Sequence, residues 1–155
     1  MEVGRKSNMS SITVVRVELV KERSLEYEGS RLIRCAEDAA NIIRGYIGNA
    51  DREMFVVMVL SAKHIVNAIN TVSLGILDSS IVHPREVFKP AILSNAASVI
   101  VGHNHPSGDP EPSPEDVAVT RRLVDAGKIL GIDVLDHIVI GDEGRFVSLK
   151  ARELL

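Results

Sequence analysis

The chain holds a single cysteine, Cys35, so no intrachain disulfide can form. That suits a reducing compartment. It also excludes a cysteine-rich zinc finger and the two-cysteine metal site of the nucleobase deaminases. Cys35 stands in no pattern that marks a nucleophile and is expected to be buried and inert. Aromatic residues make up only 3% of the chain, so the core must be built from Val, Ile, Leu and Ala. No apolar run reaches the ~18 residues that a membrane span needs. Residues 1–11 are polar and lack the apolar stretch of a secretory signal. The expected location is therefore the cytoplasm. Basic residues are not in excess: 18 Lys and Arg stand against 21 Asp and Glu, for a net charge of −3. This argues against a general nucleic-acid binder, which usually carries a basic excess or stripe.

What is present is ordinary for a globular domain. The 155 residues, 45% apolar and 25% charged, suit one domain with a core of its own. Residues 1–11 read as a disordered leader, and 12–20 alternate apolar and polar residues as a strand does. Residues 21–31 read as a loop. Ala36–Ile47 carries Ala36, Ala39, Ala40, Ile43 and Ile47 at helical spacing. Met54–Leu60 is a short unbroken apolar run, which reads as a central strand, and 64–74 reads as its hairpin partner. Pro84 opens a helix to about residue 96, behind His83 as a cap or turn residue. Residues 98–102 form a short buried strand and 113–130 the longest helix. Strands at 132–140 and 145–149 and a helical tail at 151–155 complete the chain. Strands alternating with helices imply an α/β fold, and the hairpin makes its sheet mixed, with helices flanking it.

The chemistry concentrates in fourteen residues, from His103 to Asp116. His103 and His105 are two apart at the end of a strand, where residues i and i+2 share a face. Pro106-Ser107-Gly108-Asp109-Pro110 is turn chemistry that reverses the chain. Ser113-Pro114-Glu115-Asp116 is a helix start: an N-cap serine, a proline in the first turn and an acid three residues on. A serine cap does not prevent Asp116 from facing the histidines. Two imidazoles and a carboxylate are a three-ligand set with an open fourth position, which suits zinc and leaves manganese and iron open. The string His-Asn-His is not a nuclease HNH motif, whose key residues are spread over tens of residues. Asp136-His137 reads as a packed or surface pair, His64 as a hairpin residue and Arg121-Arg122 as the wet face of the long helix.

His103-x-His105, seven residues, Ser113, two residues, Asp116 resembles the JAMM signature of the JAB/MPN metalloprotease superfamily, with no departure in spacing. Three segments resemble its bacterial RadC-like branch: residues 80–88 around His83-Pro84-Arg85-Glu86, residues 102–110 around His103-Asn104-His105, and residues 130–137 ending in Asp136-His137. The resemblance covers roughly residues 35–149. It implies a layered fold like that of cytidine deaminase over residues 35–155, with 1–34 as a partly disordered extension. It implies that His103, His105 and Asp116 hold zinc, and that Ser113 stabilises an oxyanion. It also implies an upstream glutamate as general base, a position Glu53 matches; taken alone, Glu53 reads more readily as a solvated loop acid in Asp51-Arg52-Glu53. The implied reaction is peptide or isopeptide hydrolysis on an unnamed substrate. The alternatives are a non-catalytic interaction module and a DNA repair factor, the latter resting on the family label alone, since the residues before Asp51 show no helix-hairpin-helix glycine pattern.

Overall fold

The computed structural model describes residues 9–75 and 82–155; the first two residues of the 80–88 segment lie outside these. In chain order the elements are α1 (Ala36–Ile47), β1 (Met54–Leu60), β2 (Val66–Leu74), α2 (Pro84–Leu93), β3 (Ser98–Asn104), α3 (Pro114–Leu130), β4 (Asp133–Ile140) and β5 (Phe146–Ser148). The five strands form one sheet in the order β2-β1-β3-β4-β5. Only the β3–β4 pair is parallel; the others are antiparallel. The expected mixed sheet flanked by helices is what the chain forms.

Two apolar layers explain why β1 is apolar at every position. Phe55, Val57 and Val59 face α2 and α3, where Val87, Phe88, Val119 and Leu123 meet them. Val56, Met58 and Leu60 face α1, against Ala39, Ala40, Ile43 and Ile47. A central strand covered on both sides has no solvent face to alternate with. β3 divides in the same way: Val99 and Val101 join the layer under α2 and α3, and Ile100 joins the α1 layer. Strand alternation therefore aims His103 at the α3 side.

Several expectations need correction. Residues 12–20 form no strand; they run extended with Ile12 and Val14 about nine-tenths exposed, and alternation without a neighbouring edge yields no ladder. Cys35 is exposed, because it occupies the N-cap of α1 rather than its apolar face. α2 stops at Leu93, since Asn95 adopts a left-handed conformation (φ 52°) that closes the helix. The tail at 151–155 makes a turn and not a helix, and Glu153 at φ 57° ends it. β3 runs two residues further than expected, so His103 lies within the strand. No helix among the described residues is long and apolar enough to cross a membrane.

Candidate metal centre

The centre lies where β3 ends and α3 begins. β3 carries His103 into the interior, where its side chain is fully buried. The backbone N–H of His105 then donates to the carbonyl of Ile140 at 2.9 Å, so the chain keeps its line beside β4 for one more residue. A turn follows, closed by the Gly108 N–H on the His105 carbonyl. Gly108 has φ 89° and lies so close to Asp142 that a Cβ would overlap that carboxylate. The Gly108 carbonyl accepts from the Asp142 N–H and from the Arg145 guanidinium, both at 2.9 Å. The turn behind the histidines is thus stapled to the loop between β4 and β5.

α3 starts with the expected capping box, and the box itself holds the carboxylate. Asp116 N–H donates to Ser113 Oγ at 3.1 Å, and Ser113 N–H donates to Asp116 Oδ2 at 2.8 Å. So fixed, Asp116 Oδ1 lies 3.3 Å from His103 Nε2, and Oδ2 lies 3.3 Å from His105 Nε2. The two Nε2 atoms are 3.0 Å apart. Ligands about 2.0–2.1 Å from a tetrahedral ion lie roughly 3.3 Å from one another, and the three side chains meet at about that spacing, the carboxylate turning a different oxygen to each imidazole. His103, His105 and Asp116 are the described group of His, Cys, Asp and Glu residues that could hold a metal ion.

Hydrogen bonding assigns the protons. His105 Nδ1 lies 2.7 Å from the Asp109 carbonyl, which can only accept, so that nitrogen carries a hydrogen; Nε2 then offers a lone pair when the ring is neutral and a hydrogen toward Asp116 when it is charged. His103 Nδ1 lies 2.8 Å from Nε2 of His137. His137 is fully buried, and this burial holds its pKa well below the ordinary histidine value. Burial works to raise the Asp116 carboxyl as well, but the His103 and His105 rings, when they carry a hydrogen on Nε2, and the Ser113 N–H outweigh it in the metal-free site, so the net shift is downward. The Asp116 hydrogen bond, assisted by its charge, shifts His105 upward against burial. Imidazole lone pairs beside a carboxylate repel unless a proton or a cation lies among them.

The surroundings differ on the two sides. Behind the ligands the Phe55 ring stacks near His103 (centroids 6.0 Å, 12° between planes) and meets His137 edge-on at 5.4 Å. This closes the site from the core. Asp51, Arg52, Glu53, Gly75 and Pro106, the residue after His105, line an open cleft of about 470 Å³, which none of the three candidate ligands lines. Glu53 is half-buried at the foot of β1, and its carbonyl accepts from the Gly75 N–H at 2.8 Å. Its charge is among those that raise the His105 pKa. The structure therefore brings His103, His105, Asp116 and Ser113 into one cluster, with Glu53 on the cleft side.

Three participants were not singled out in the sequence. Asp136 and His137, read as a packed or surface pair, are both buried, and the His137 N–H donates to Asp136 Oδ1 at 2.7 Å, but their side chains serve different places. Asp136 Oδ2 accepts from Ser148 Oγ at 2.6 Å and Oδ1 from the Lys150 N–H at 3.1 Å, pinning β5, whereas His137 enters the metal centre. Thr120 stands behind His137, with Oγ1 2.6 Å from His137 Nδ1. Asn104 reaches across to the backbone around Glu53. Only His137 left a trace, as the last residue of the 130–137 segment. His83 caps α2 as expected, its Nδ1 accepting from the Arg85 N–H at 3.1 Å. His64 lies in the hairpin turn with φ 58°, and Arg121 and Arg122 are exposed on α3.

A mixed α/β sheet that delivers two histidines and a helix-capping aspartate to one point defines a JAB-type domain. The family model for the RadC-like JAB domain matches residues 33–154, and the chain belongs to that family. It is 53% identical over 124 residues to the UPF0758 protein of Desulforamulus reducens, covering 80% of this chain and 54% of that protein. The UPF0758 protein of Moorella thermoacetica is 56% identical over the same length and the same shares. That of Desulfitobacterium hafniense strain DCB-2 is 47% identical over 155 residues, all of this chain and 61% of that protein. The chain spans between half and two-thirds of the length of these relatives.

Proposed function

We propose that the chain is a metal-dependent hydrolase of peptide or isopeptide bonds, with zinc as its ion, working in the cytoplasm. One observation carries the reading: the Nε2 atoms of two imidazoles and the oxygens of one carboxylate converge at 3.0–3.3 Å, next in the chain to Pro106, which with Glu53 lines an open cleft. His103, His105 and Asp116 would hold the ion. When bound, zinc acidifies a water and polarises a carbonyl. Glu53 would take a proton from the attacking water and return it to the leaving amine. Ser113 Oγ accepts from the Asp116 N–H and keeps its own proton, so it has a hydrogen to donate to a developing oxyanion. The Phe55 wall keeps bulk water from the rear of the site, which strengthens each of these interactions.

The test is metal content together with cleavage. Purified protein is expected to carry one zinc per chain by elemental analysis. It should cleave members of a mixed peptide and isopeptide library, read by mass spectrometry, and lose that activity in His105→Ala and Glu53→Gln. Protein without stoichiometric zinc, whose cleavage survives His105→Ala, would overturn the reading. Stoichiometric zinc with no cleavage would reduce the domain to a metal-binding interaction module.

A further inference from the structure

His103 is an unusual candidate ligand, because the partner of its second nitrogen is another histidine. Metal-bound histidines ordinarily donate that hydrogen to a carboxylate, a carbonyl or water. Here the partner is His137 on β4, fully buried, and neither of its ring nitrogens meets a carboxylate. A neutral histidine can either donate or accept at each nitrogen. Something must therefore choose between two arrangements, one of which would put a hydrogen on His103 Nε2 and block it.

The choice is made on α3. Thr120 Oγ1 lies 2.6 Å from the carbonyl of Asp116, one helical turn back. A carbonyl only accepts, so the single hydroxyl hydrogen of Thr120 points there. Thr120 Oγ1 can then only accept from His137, at 2.6 Å, so His137 Nδ1 carries the hydrogen. His137 Nε2 is left as a lone pair and accepts from His103 Nδ1–H at 2.8 Å. With Nδ1 carrying the hydrogen of the neutral ring, His103 Nε2, facing Asp116 and His105, is the nitrogen left to offer a lone pair. Each direction in the chain follows from the one before, and it starts at the backbone of Asp116, itself one of the candidate ligands.

We propose that His137, set by Thr120, is a positioning residue that holds His103 in the Nδ1-protonated tautomer and so presents its Nε2 lone pair to the ion. The proposal rests on the metal-centre reading above. α3 thereby contributes twice: Asp116 supplies a carboxylate, and Thr120, one turn on, sets the protonation of the opposing ligand. Two of these hydrogen bonds, His103 to His137 and His137 to Thr120, also tie β3, β4 and α3 together behind the site.

Two measurements test this without a substrate. Long-range ¹H–¹⁵N spectra of the labelled, metal-free protein report which His103 nitrogen carries the hydrogen. Competition with a chromophoric chelator reports zinc affinity, and the visible spectrum of the Co²⁺ form reports geometry. His103 is expected to be protonated at Nδ1 in the wild type. His137→Phe, which fills the space but accepts nothing, is expected to mix the tautomers, weaken zinc binding about 10- to 100-fold and perturb the Co²⁺ spectrum. His137→Gln, which can accept from His103 and donate to Thr120, is expected to recover most of the affinity. Should His137→Phe fail to fold, Thr120→Val carries the test, with mixed tautomers and weaker zinc binding expected. A wild-type His103 protonated at Nε2, or a folded His137→Phe or Thr120→Val with wild-type zinc affinity, overturns the proposal. A wild type that binds no zinc defeats the metal-centre reading instead, and the His103 spectrum then decides the positioning claim alone.

Discussion

The side-chain oxygen of Asn104 accepts the backbone N–H of Met54 at 2.7 Å, and its amide donates to the carbonyl of Arg52 at 3.0 Å. The two backbone groups flank Glu53. The last paired residues of the β1–β3 ladder are Phe55 and His103, so Asn104 extends the pairing one position further with a side chain. The residue between the two candidate ligands thus holds the backbone of the candidate base.

Asn104→Ala should therefore loosen Glu53 while sparing the metal. It leaves two partly buried backbone groups without partners, at a stability cost of about 1–3 kcal/mol in urea denaturation. Zinc affinity is expected to stay within about threefold of the wild type, since Asn104 touches no candidate ligand through its side chain. Any measured hydrolysis should fall about tenfold or more, as for a misplaced base. An Asn104→Ala protein that keeps full activity would separate Asn104 from Glu53.

Asp116 has two duties that substitution can divide. Asp116→Asn retains an oxygen that can accept the Ser113 N–H, so stability should change by less than about 1 kcal/mol. It removes the negative charge, so zinc should be lost at micromolar free metal. Ser113→Ala should do the reverse, lowering the thermal midpoint through about 1 kcal/mol of lost capping while the zinc content remains near one. Equal loss of zinc in both variants would mean that the cap alone orders the site.

The metal-free protein should show a pH dependence that zinc abolishes. The His105 pKa is raised, chiefly by its hydrogen bond to Asp116. A raised histidine contributes stability that is fully present below its unfolded value near 6.5 and is lost as pH rises through the folded value. Asp116 is shifted down, so its contribution is present above the unfolded carboxylate range and is lost as pH falls. Metal-free protein should therefore be most stable between these limits and weaken on the alkaline side. His105→Gln should remove the alkaline arm. An alkaline arm unchanged in that variant would assign it to another group.

Gly108 is expected to tolerate no side chain. Its φ of 89° is strained for an L residue, and a Cβ would overlap the Asp142 carboxylate. Gly108→Ala should cost at least about 1–3 kcal/mol by chemical denaturation. Because the turn carries His105, zinc affinity should fall as well. Asp142→Ala in the same chain should recover part of the loss by making room. If Gly108→Ala alone binds zinc normally, the staple to the β4–β5 loop does not position His105.

Local signals were readable where neighbours in the chain decide the outcome. The helices α1 and α3, the apolar β1 and the capping box at Ser113 and Asp116 follow from spacing and caps. The strand expected at 12–20 failed because a strand also needs an edge to pair with, which alternation does not reveal. Cys35 was misplaced because burial was inferred from residue type, whereas its N-cap position set its exposure.

The sequence by itself determined the candidate ligand set, since His103, His105, Ser113 and Asp116 fall within one strand end, one turn and one helix start. Only the tertiary structure decided what surrounds them. Asn104 meets the backbone at Arg52 across 52 positions, and His103 meets His137 across 34. Before folding, Thr120 is a helix residue with nothing to distinguish it from a packing position, and His137 is only the last residue of the 130–137 segment. Their direction of hydrogen bonding exists only once β3, β4 and α3 enclose them away from water. There each donor must find an acceptor inside the protein, and a single hydroxyl hydrogen sets the rest.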